Sequence, residues 1–317
     1  MKIAVMGTGT MASLFAARMC QYGHDVWMVS GWQEQIEKIA ADGLVLSEDG
    51  HEDLTVWPQV TSDAAQAVAD GIFPDMVMIW SKVYQTERTV KNALPLIGEK
   101  TLVATLQNGM GNAETIGKYV PAERVFFGSA SMASDAEGLG HVKDTTNHNR
   151  SPLVSIVPFT RQDSAECTAL GEFFTSLGYS TASGASAEFY VWKKLCLNSC
   201  GNALAGISQL SNHIYANDQD GFILLNRICA ESVAVANACG IPIDYDEMRA
   251  FVQATYYNQH HYVSMCQDIH NKRPTEIETI NGYIVSEGRK RGIPTPVNET
   301  LLHLVRLISR HYADRWE

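Results

Sequence analysis

With 317 residues, 45% of them hydrophobic and 19% charged, the chain has the composition of a globular protein of one large or two medium domains. Its formal net charge of −11 argues against nucleic acid or an anionic membrane as a partner. No apolar run approaches the roughly 20 residues of a membrane span, so a transmembrane role is not expected.

Lys2 leads straight into an apolar strand, Ile3–Met6, and a glycine turn; this is no signal peptide and predicts a cytoplasmic protein. A helix over Met11–Gln21 and a strand over Asp25–Val29 follow. The next helix, Glu34 to Ala40, turns Ile36 and Ile39 inward. Further strands are expected at Met76–Trp80, Leu102–Leu106, Val125–Ala130 and Leu153–Val157, with helices between most of them. Such alternation implies a mostly parallel sheet with helices on both faces. Gly138–Thr146 reads as an added antiparallel strand and Asn147–Ser151 as a loop. From about Ser186 helical periodicity dominates, in stretches such as Gly221–Cys239 and Asp246–Tyr256. Gly240-Ile-Pro-Ile and Gly292-Ile-Pro-Thr-Pro punctuate them as helix stops. The turn-like run Ala182–Ser186 marks the boundary. The expected organisation is α/β: a Rossmann-type dinucleotide-binding domain over residues 1–183, then an all-α domain over residues 184–317.

Gly7-Thr8-Gly9-Thr10-Met11-Ala12 follows the first strand and opens the first helix, the dinucleotide fingerprint in its G-x-G-x-x-A form. Gly7 permits the tight turn, Gly9 lets the backbone approach a pyrophosphate, and Ala12 allows close helix–strand packing. At the end of the second strand an acid would bind ribose hydroxyls and an Arg a 2′-phosphate. This chain has Ser30-Gly-Trp-Gln33, and Ser30 can bond to either. Lys82 and Asn108-Gly-Met-Gly111 follow later strands at their carboxyl ends, where open α/β sheets bind ligands.

In Tyr190–Ile207 an otherwise buried helix carries polar residues on one face. At about 100° per residue, Asn198 lies near roughly 40° from Lys194, Asn202 near 80° and Gly201 near −20°. An ammonium and two carboxamides on an apolar helix are costly unless something satisfies them. The small Gly201 and Ala205 leave room for that something to be a ligand. The competing reading, a solvated stripe, would carry more charges and fewer Gly or Ala. Lys193 is expected to reach solvent. Further on, Ser264-Met-Cys-Gln-Asp-Ile269 precedes Thr275-Glu-Ile-Glu-Thr-Ile-Asn-Gly282. Thr275 with Glu278 fits a capping box, which puts Glu276 in a helix's first turn and makes it first of all a helix-start charge.

Seven cysteines, at positions 20, 167, 196, 200, 229, 239 and 266, mostly lie in apolar helical contexts without a second pair to complete a zinc site. They read as reduced core thiols, and no metal is expected. His260–His261 reads as a surface pair.

Gly7–Ala12, Lys82, Asn108–Gly111, Lys194 with Asn198 and Asn202, Asn212, Ser264–Ile269 and Thr275–Gly282 together resemble the ketopantoate reductase (2-dehydropantoate 2-reductase) family. The match runs in order along the whole chain. The resemblance implies a Rossmann domain followed by a helical one, with the active site in the cleft between them. It implies that Lys194 is the catalytic acid and that Glu276, Asn108, Asn198, Asn202, Asn212 and Ser264 line the substrate site. Lys82 would sit near cofactor and substrate. The expected coenzyme is NADPH, with NADH left open because Ser30 stands where many members have an Arg. The implied partner is a small 2-oxo acid, reduced to pantoate on the route to coenzyme A, and the implied assembly leaves room for a homodimer. The rival within the family is an NAD-dependent D-2-hydroxyacid dehydrogenase acting on branched-chain or aromatic 2-oxo acids. β-Hydroxyacid dehydrogenases also place Lys and Asn four apart on a helix, but the Ser264–Ile269 and Thr275–Gly282 motifs argue against them. A silent dinucleotide sensor should have lost Lys194 or Glu276.

Overall fold

The computed structural model describes residues 1–314. In the amino-terminal half the strands are β1 (Lys2–Met6), β2 (Asp25–Val29), β3 (Leu44–Glu48), β4 (Leu54–Val56), β5 (Gln59–Thr61), β6 (Met76–Ile79), β7 (Leu102–Thr105), β8 (Val125–Ala130), β9 (Ser134–Gly138), β10 (His141–Asp144), β11 (Val154–Pro158) and β12 (Thr181–Ser183). Every residue of β6, β8 and β11 is buried, as in a sheet covered on both faces. The main sheet has the order β12-β11-β8-β7-β6-β1-β2-β5. From β8 to β5 all strands run parallel. β11 then turns antiparallel against β8 and carries β12 parallel to itself. The chain therefore reverses its winding at β1, between β2 and β6, the doubly wound arrangement that binds dinucleotides.

The helices of this half are α1 (Thr10–Gln21), α2 (Gln33–Asp42), α3 (Ala64–Ala69), α4 (Thr86–Ala93), α5 (Asn112–Ile116) and α6 (Ala165–Ser176). Leu14, Phe15 and Met19 of α1 and Leu170 and Phe174 of α6 share one core with Val5, Met28, Met78 and Phe126. Gly138–Thr146 is not a single strand added to the main sheet. It belongs to a hairpin of β9 and β10 in a second sheet of order β4-β3-β10-β9, in which β10 also runs parallel to β3. β9 is almost wholly exposed, so it has no apolar alternation by which to announce itself. Arg18 of α1 ties this sheet down: one guanidinium nitrogen lies 2.6 Å from Glu48 of β3 and 2.8 Å from Asp144 of β10.

The carboxy-terminal helices are α7 (Glu188–Ser208), α8 (Asn212–Asn217), α9 (Gln219–Ala238), α10 (Tyr245–Tyr257), α11 (Ser264–His270), α12 (Asn281–Arg291) and α13 (Pro296–Arg310). Gly240 and Gly292 follow α9 and α12 as expected of helix stops. The capping box at Thr275 does not form. Residues 275–280 make successive turns, in which Thr279 N–H donates to Glu276 O and Gly282 N–H to Ile277 O, and α12 starts only at Asn281. Arg306 of α13 claims both oxygens of Glu278, at 2.7 and 2.5 Å, so that carboxylate cannot reach back as a cap. Glu276 consequently lies in a buried turn and not in a helix's first turn.

The chain divides into two compact units: Met1–Gln107 with Asn112–Glu188, and Asn108–Gly111 with the chain from Phe189 onward. The loop after β7 thus belongs by its packing to the second unit; Met110 N–H donates to Thr279 O at 2.8 Å. The cysteines are all free, and Cys167, Cys196, Cys200, Cys229 and Cys266 are buried. No helix among the described residues is long and apolar enough to cross a membrane.

Candidate active site

The fingerprint glycines in the first unit are shaped by what surrounds them. Gly7 has φ of +140° and donates its N–H to Val29 O, and a Cβ there would lie 3.0 Å from Trp80 O. Only glycine tolerates both demands. Gly9 sits at the N-cap of α1, where no side chain caps the helix and a Cβ would meet nothing within 4 Å. The first turn of α1 contains no acid, and its leading N–H groups have no intrahelical acceptor. Open space above an uncapped helix start fits the pyrophosphate of a dinucleotide. Thr8, Thr10, Met11 and Ala12 complete this turn, with Thr8 and Ala12 buried.

Ser30 follows the last residue of β2. Its Oγ accepts from the Thr8 hydroxyl at 3.0 Å and from Trp32 N–H at 3.2 Å. With those acceptor positions taken, its own proton is what Ser30 offers outward. Lys82 stands half-buried just beyond β6. Gln107, which the motif reading passed over, lies buried at the end of β7. Its amide donates to Ser81 O and to Thr86 Oγ, joining the loops after β6 and β7 to the start of α4. A glutamine one residue before a recognised motif carries no sequence signal of its own.

In the second unit, α7 brings Lys194, Asn198 and Asn202 to one face, with Lys194 and Asn198 half-buried and Asn202 buried. At Gly201 the expected space is filled. A Cβ at Gly201 would lie 2.7 Å from Asn212 Nδ2 and from the Tyr256 phenol, so Gly201 is where α8 and α10 press against α7. Burial pushes the Tyr256 phenol well up, so it stays protonated, and it donates to Leu197 O. Lys193 does not simply reach solvent: its ammonium lies 4.2 Å from the centre of the Phe251 ring.

Glu276 is 7% exposed and accepts from Asn108 Nδ2 at 3.2 Å, while Thr279 Oγ donates to Asn108 O. An amide donated to a carboxylate is a charge-assisted bond that fixes both groups. Gly109 makes this possible: at φ of +78°, its Cα lies so near Thr279 that a Cβ would sit 2.3 Å from the carbonyl oxygen. Asn212 is fully buried; its Nδ2 donates to Gln259 Oε1, and its Oδ1 has no hydrogen-bond partner among the described residues. Ser264 opens α11, half-buried. The second unit therefore holds Lys194, Asn198, Asn202, Asn108, Glu276, Asn212 and Ser264, and the first holds the fingerprint, Ser30 and Lys82.

One acidic cluster was not anticipated. Glu48, Asp144 and His148 approach closely enough to share an ion, but the Arg18 guanidinium already lies against both carboxylates.

Residues 3–151 match the family described as "Ketopantoate reductase PanE/ApbA", and residues 188–309 match its C-terminal part. A curated relative from Halobacterium salinarum, named 2-dehydropantoate 2-reductase, is 29% identical over 98% of this chain and 99% of its own. A structure described as D-mandelate dehydrogenase with NADH and anilino(oxo)acetate is 27% identical, with a TM-score of 0.86 over 98% of both chains. The 2-dehydropantoate 2-reductase from Geobacter metallireducens is 25% identical, with a TM-score of 0.85 over 97% of this chain and 99% of its own. The two family models together span most of the chain and the fold agrees with them, so the chain belongs to the ketopantoate reductase family of NAD(P)-dependent oxidoreductases that act on 2-oxo acids.

Proposed function

We propose that the protein reduces 2-dehydropantoate to pantoate, with Lys194 as the general acid. The observation that carries this reading is the grouping, within one compact unit, of Lys194, Asn198 and Asn202 on α7 with a buried Glu276 held by Asn108. The curated relatives named for that reaction match over nearly the whole chain. A nicotinamide coenzyme, when bound, would supply the hydride that reduces the carbonyl carbon of the 2-oxo acid. Gly7–Ala12 would hold its pyrophosphate and Ser30 its ribose end, with Lys82 and Asn108 toward the reactive end. As negative charge builds on the carbonyl oxygen, the Lys194 ammonium stabilises it and delivers a proton, which contributes about 10²–10⁴ in rate. Asn198, Asn202, Asn212 and Ser264 bind the carboxylate and hydroxyl of the substrate. Glu276 orients the substrate hydroxyl or Lys194. Ser30, presenting a proton and no charge, accepts NADPH without excluding NADH.

The D-mandelate dehydrogenase likeness favours a second reading, an NAD-dependent D-2-hydroxyacid dehydrogenase for branched-chain or aromatic 2-oxo acids. Steady-state kinetics with ketopantoate, 2-oxoisovalerate and phenylglyoxylate, each with NADH and NADPH, separates the two. Ketopantoate exceeds 2-oxoisovalerate chiefly by a hydroxymethyl group. A site built to bond that hydroxyl should reject the analogue by about 10⁴-fold. Preference for phenylglyoxylate would establish the second reading instead.

A further inference from the structure

Behind the polar face of α7 runs a pair of buried amides, Asn281 from the Thr275–Gly282 motif and Asn298 from outside every motif, to which no role has been given above. Asn281, the first residue of α12, is fully buried, and its Nδ2 donates to Ser199 O and to Asn298 Oδ1, both at 3.0 Å. Asn298 is also fully buried, and its Nδ2 donates to Glu231 Oε2 at 2.8 Å. Glu231, on α9, accepts in addition from the N–H groups of Val297 and Asn298 at the start of α13, both at 2.9 Å.

The direction of this relay is set from one end. A carboxylate only accepts, so Asn298 must turn its amino group toward Glu231 and its oxygen toward Asn281. Asn281 must then present its own amino group to Asn298, and the same group reaches Ser199 O. Flipping either amide would set oxygen against oxygen inside the protein and leave buried polar groups unsatisfied. Even in this orientation Asn281 Oδ1 finds no hydrogen-bond partner among the described residues, so the arrangement is kept at a cost.

The geometry at the two ends of Asn281 gives that cost a purpose. Ser199 adjoins Asn198 and lies between Lys194 and Asn202 on α7. Asn281 ends the run of turns that carries Glu276. We infer that Asn281, aligned by Asn298 and Glu231, is a positioning residue that fixes the Glu276 segment against the helix bearing Lys194. This rests on the reading of Lys194 and Glu276 given above. A displacement of about 1 Å between groups that act together costs up to about 100-fold in rate.

The test measures kcat per coenzyme-binding site, coenzyme Kd and melting temperature for Asn281→Ala and Glu231→Gln, with Lys194→Ala in parallel. Counting turnover per coenzyme site removes any unfolded fraction. Asn281→Ala should lower kcat by about 10- to 100-fold with coenzyme Kd within twofold. Glu231→Gln keeps the shape but removes the charge that aligns the relay, so it should lower kcat in the same direction by a smaller factor; it is the decisive variant if Asn281→Ala does not fold. A lower melting temperature with unchanged kcat per site in both variants would overturn the positioning role. If Lys194→Ala also turned over normally, the reading of the active site would fall and the positioning role with it; loss at Lys194 alone would overturn only the latter.

Discussion

Lys193 and Lys194 are adjacent in sequence yet about 100° apart around α7, so a single register assigns them different work. Lys194→Ala is expected to lower kcat by about 10²–10⁴ and to leave coenzyme Kd unchanged, because the fingerprint proposed to hold the phosphates lies in the other unit. Lys193→Ala should keep kcat and lose about 0.5–1 kcal/mol of stability through the missing contact with Phe251. Equal kinetic losses at the two positions would sink the assignment. At Ser30 the issue is charge. A carboxylate there would repel a 2′-phosphate and accept from ribose hydroxyls, so Ser30→Asp should move the ratio of kcat/KM values toward NADH by roughly 5- to 30-fold, the scale of 1–2 kcal/mol. A ratio that does not move would place the ribose elsewhere than beside β2.

Among the elements, the loop between β7 and α5 is tightly constrained. Gly109 combines a left-handed backbone with an approach to Thr279 that leaves no room for a methyl group. Gly109→Ala should cost about 1–3 kcal/mol in denaturant unfolding and loosen the Asn108 bond to Glu276, lowering kcat/KM at least tenfold. Wild-type kinetics in this variant would show that Asn108 does not need that loop conformation. The elements that carry the fingerprint and Lys194 were legible because their patterns are local: apolar runs in β1 and β6, a glycine turn, a 21-residue helix without a proline. The exposed β9 and the three-residue β4, β5 and β12 were not, since pairing rather than periodicity makes them strands. Thr275 and Glu278 had the spacing of a cap, but Arg306, 28 residues beyond Glu278, took the carboxylate. Gly201 was misread for the same reason: composition shows a missing side chain and not what occupies the gap. Lys194, Asn198 and Asn202 stood out as residue types at odds with an apolar helix, whereas Glu276 read first as a helix-start charge and entered the site only through the family resemblance; Asn281 sat in the Thr275–Gly282 motif without a role, and Asn298 carried no signal.

At the scale of the whole molecule, the Arg18 cluster ties part of the fold's stability to pH. Burial alone would push the Asp144 carboxyl up, but hydrogen bonds from Arg18 and Thr146 outweigh it and hold the group below the usual aspartate range. A folded-state value that is depressed stabilises the fold above the ordinary value near ~3.9 and is lost as pH falls through the folded one. Asp144→Asn should therefore cost roughly 2–4 kcal/mol at pH 7 and give a shallower decline in urea stability as pH falls below about 4. Identical acid slopes in the two proteins would exclude Asp144 as the source. The free thiols have a different use. Cys167 lies sealed in the first unit, and Cys196, Cys200, Cys229 and Cys266 in the second, so a thiol-specific reagent reaches them only when the surrounding structure opens. Burial further raises the thiol of Cys200 and keeps it in its sluggish protonated form. Labelling followed by peptide mass would therefore time the breathing of each half separately, without introducing a dye, a tag or a mutation.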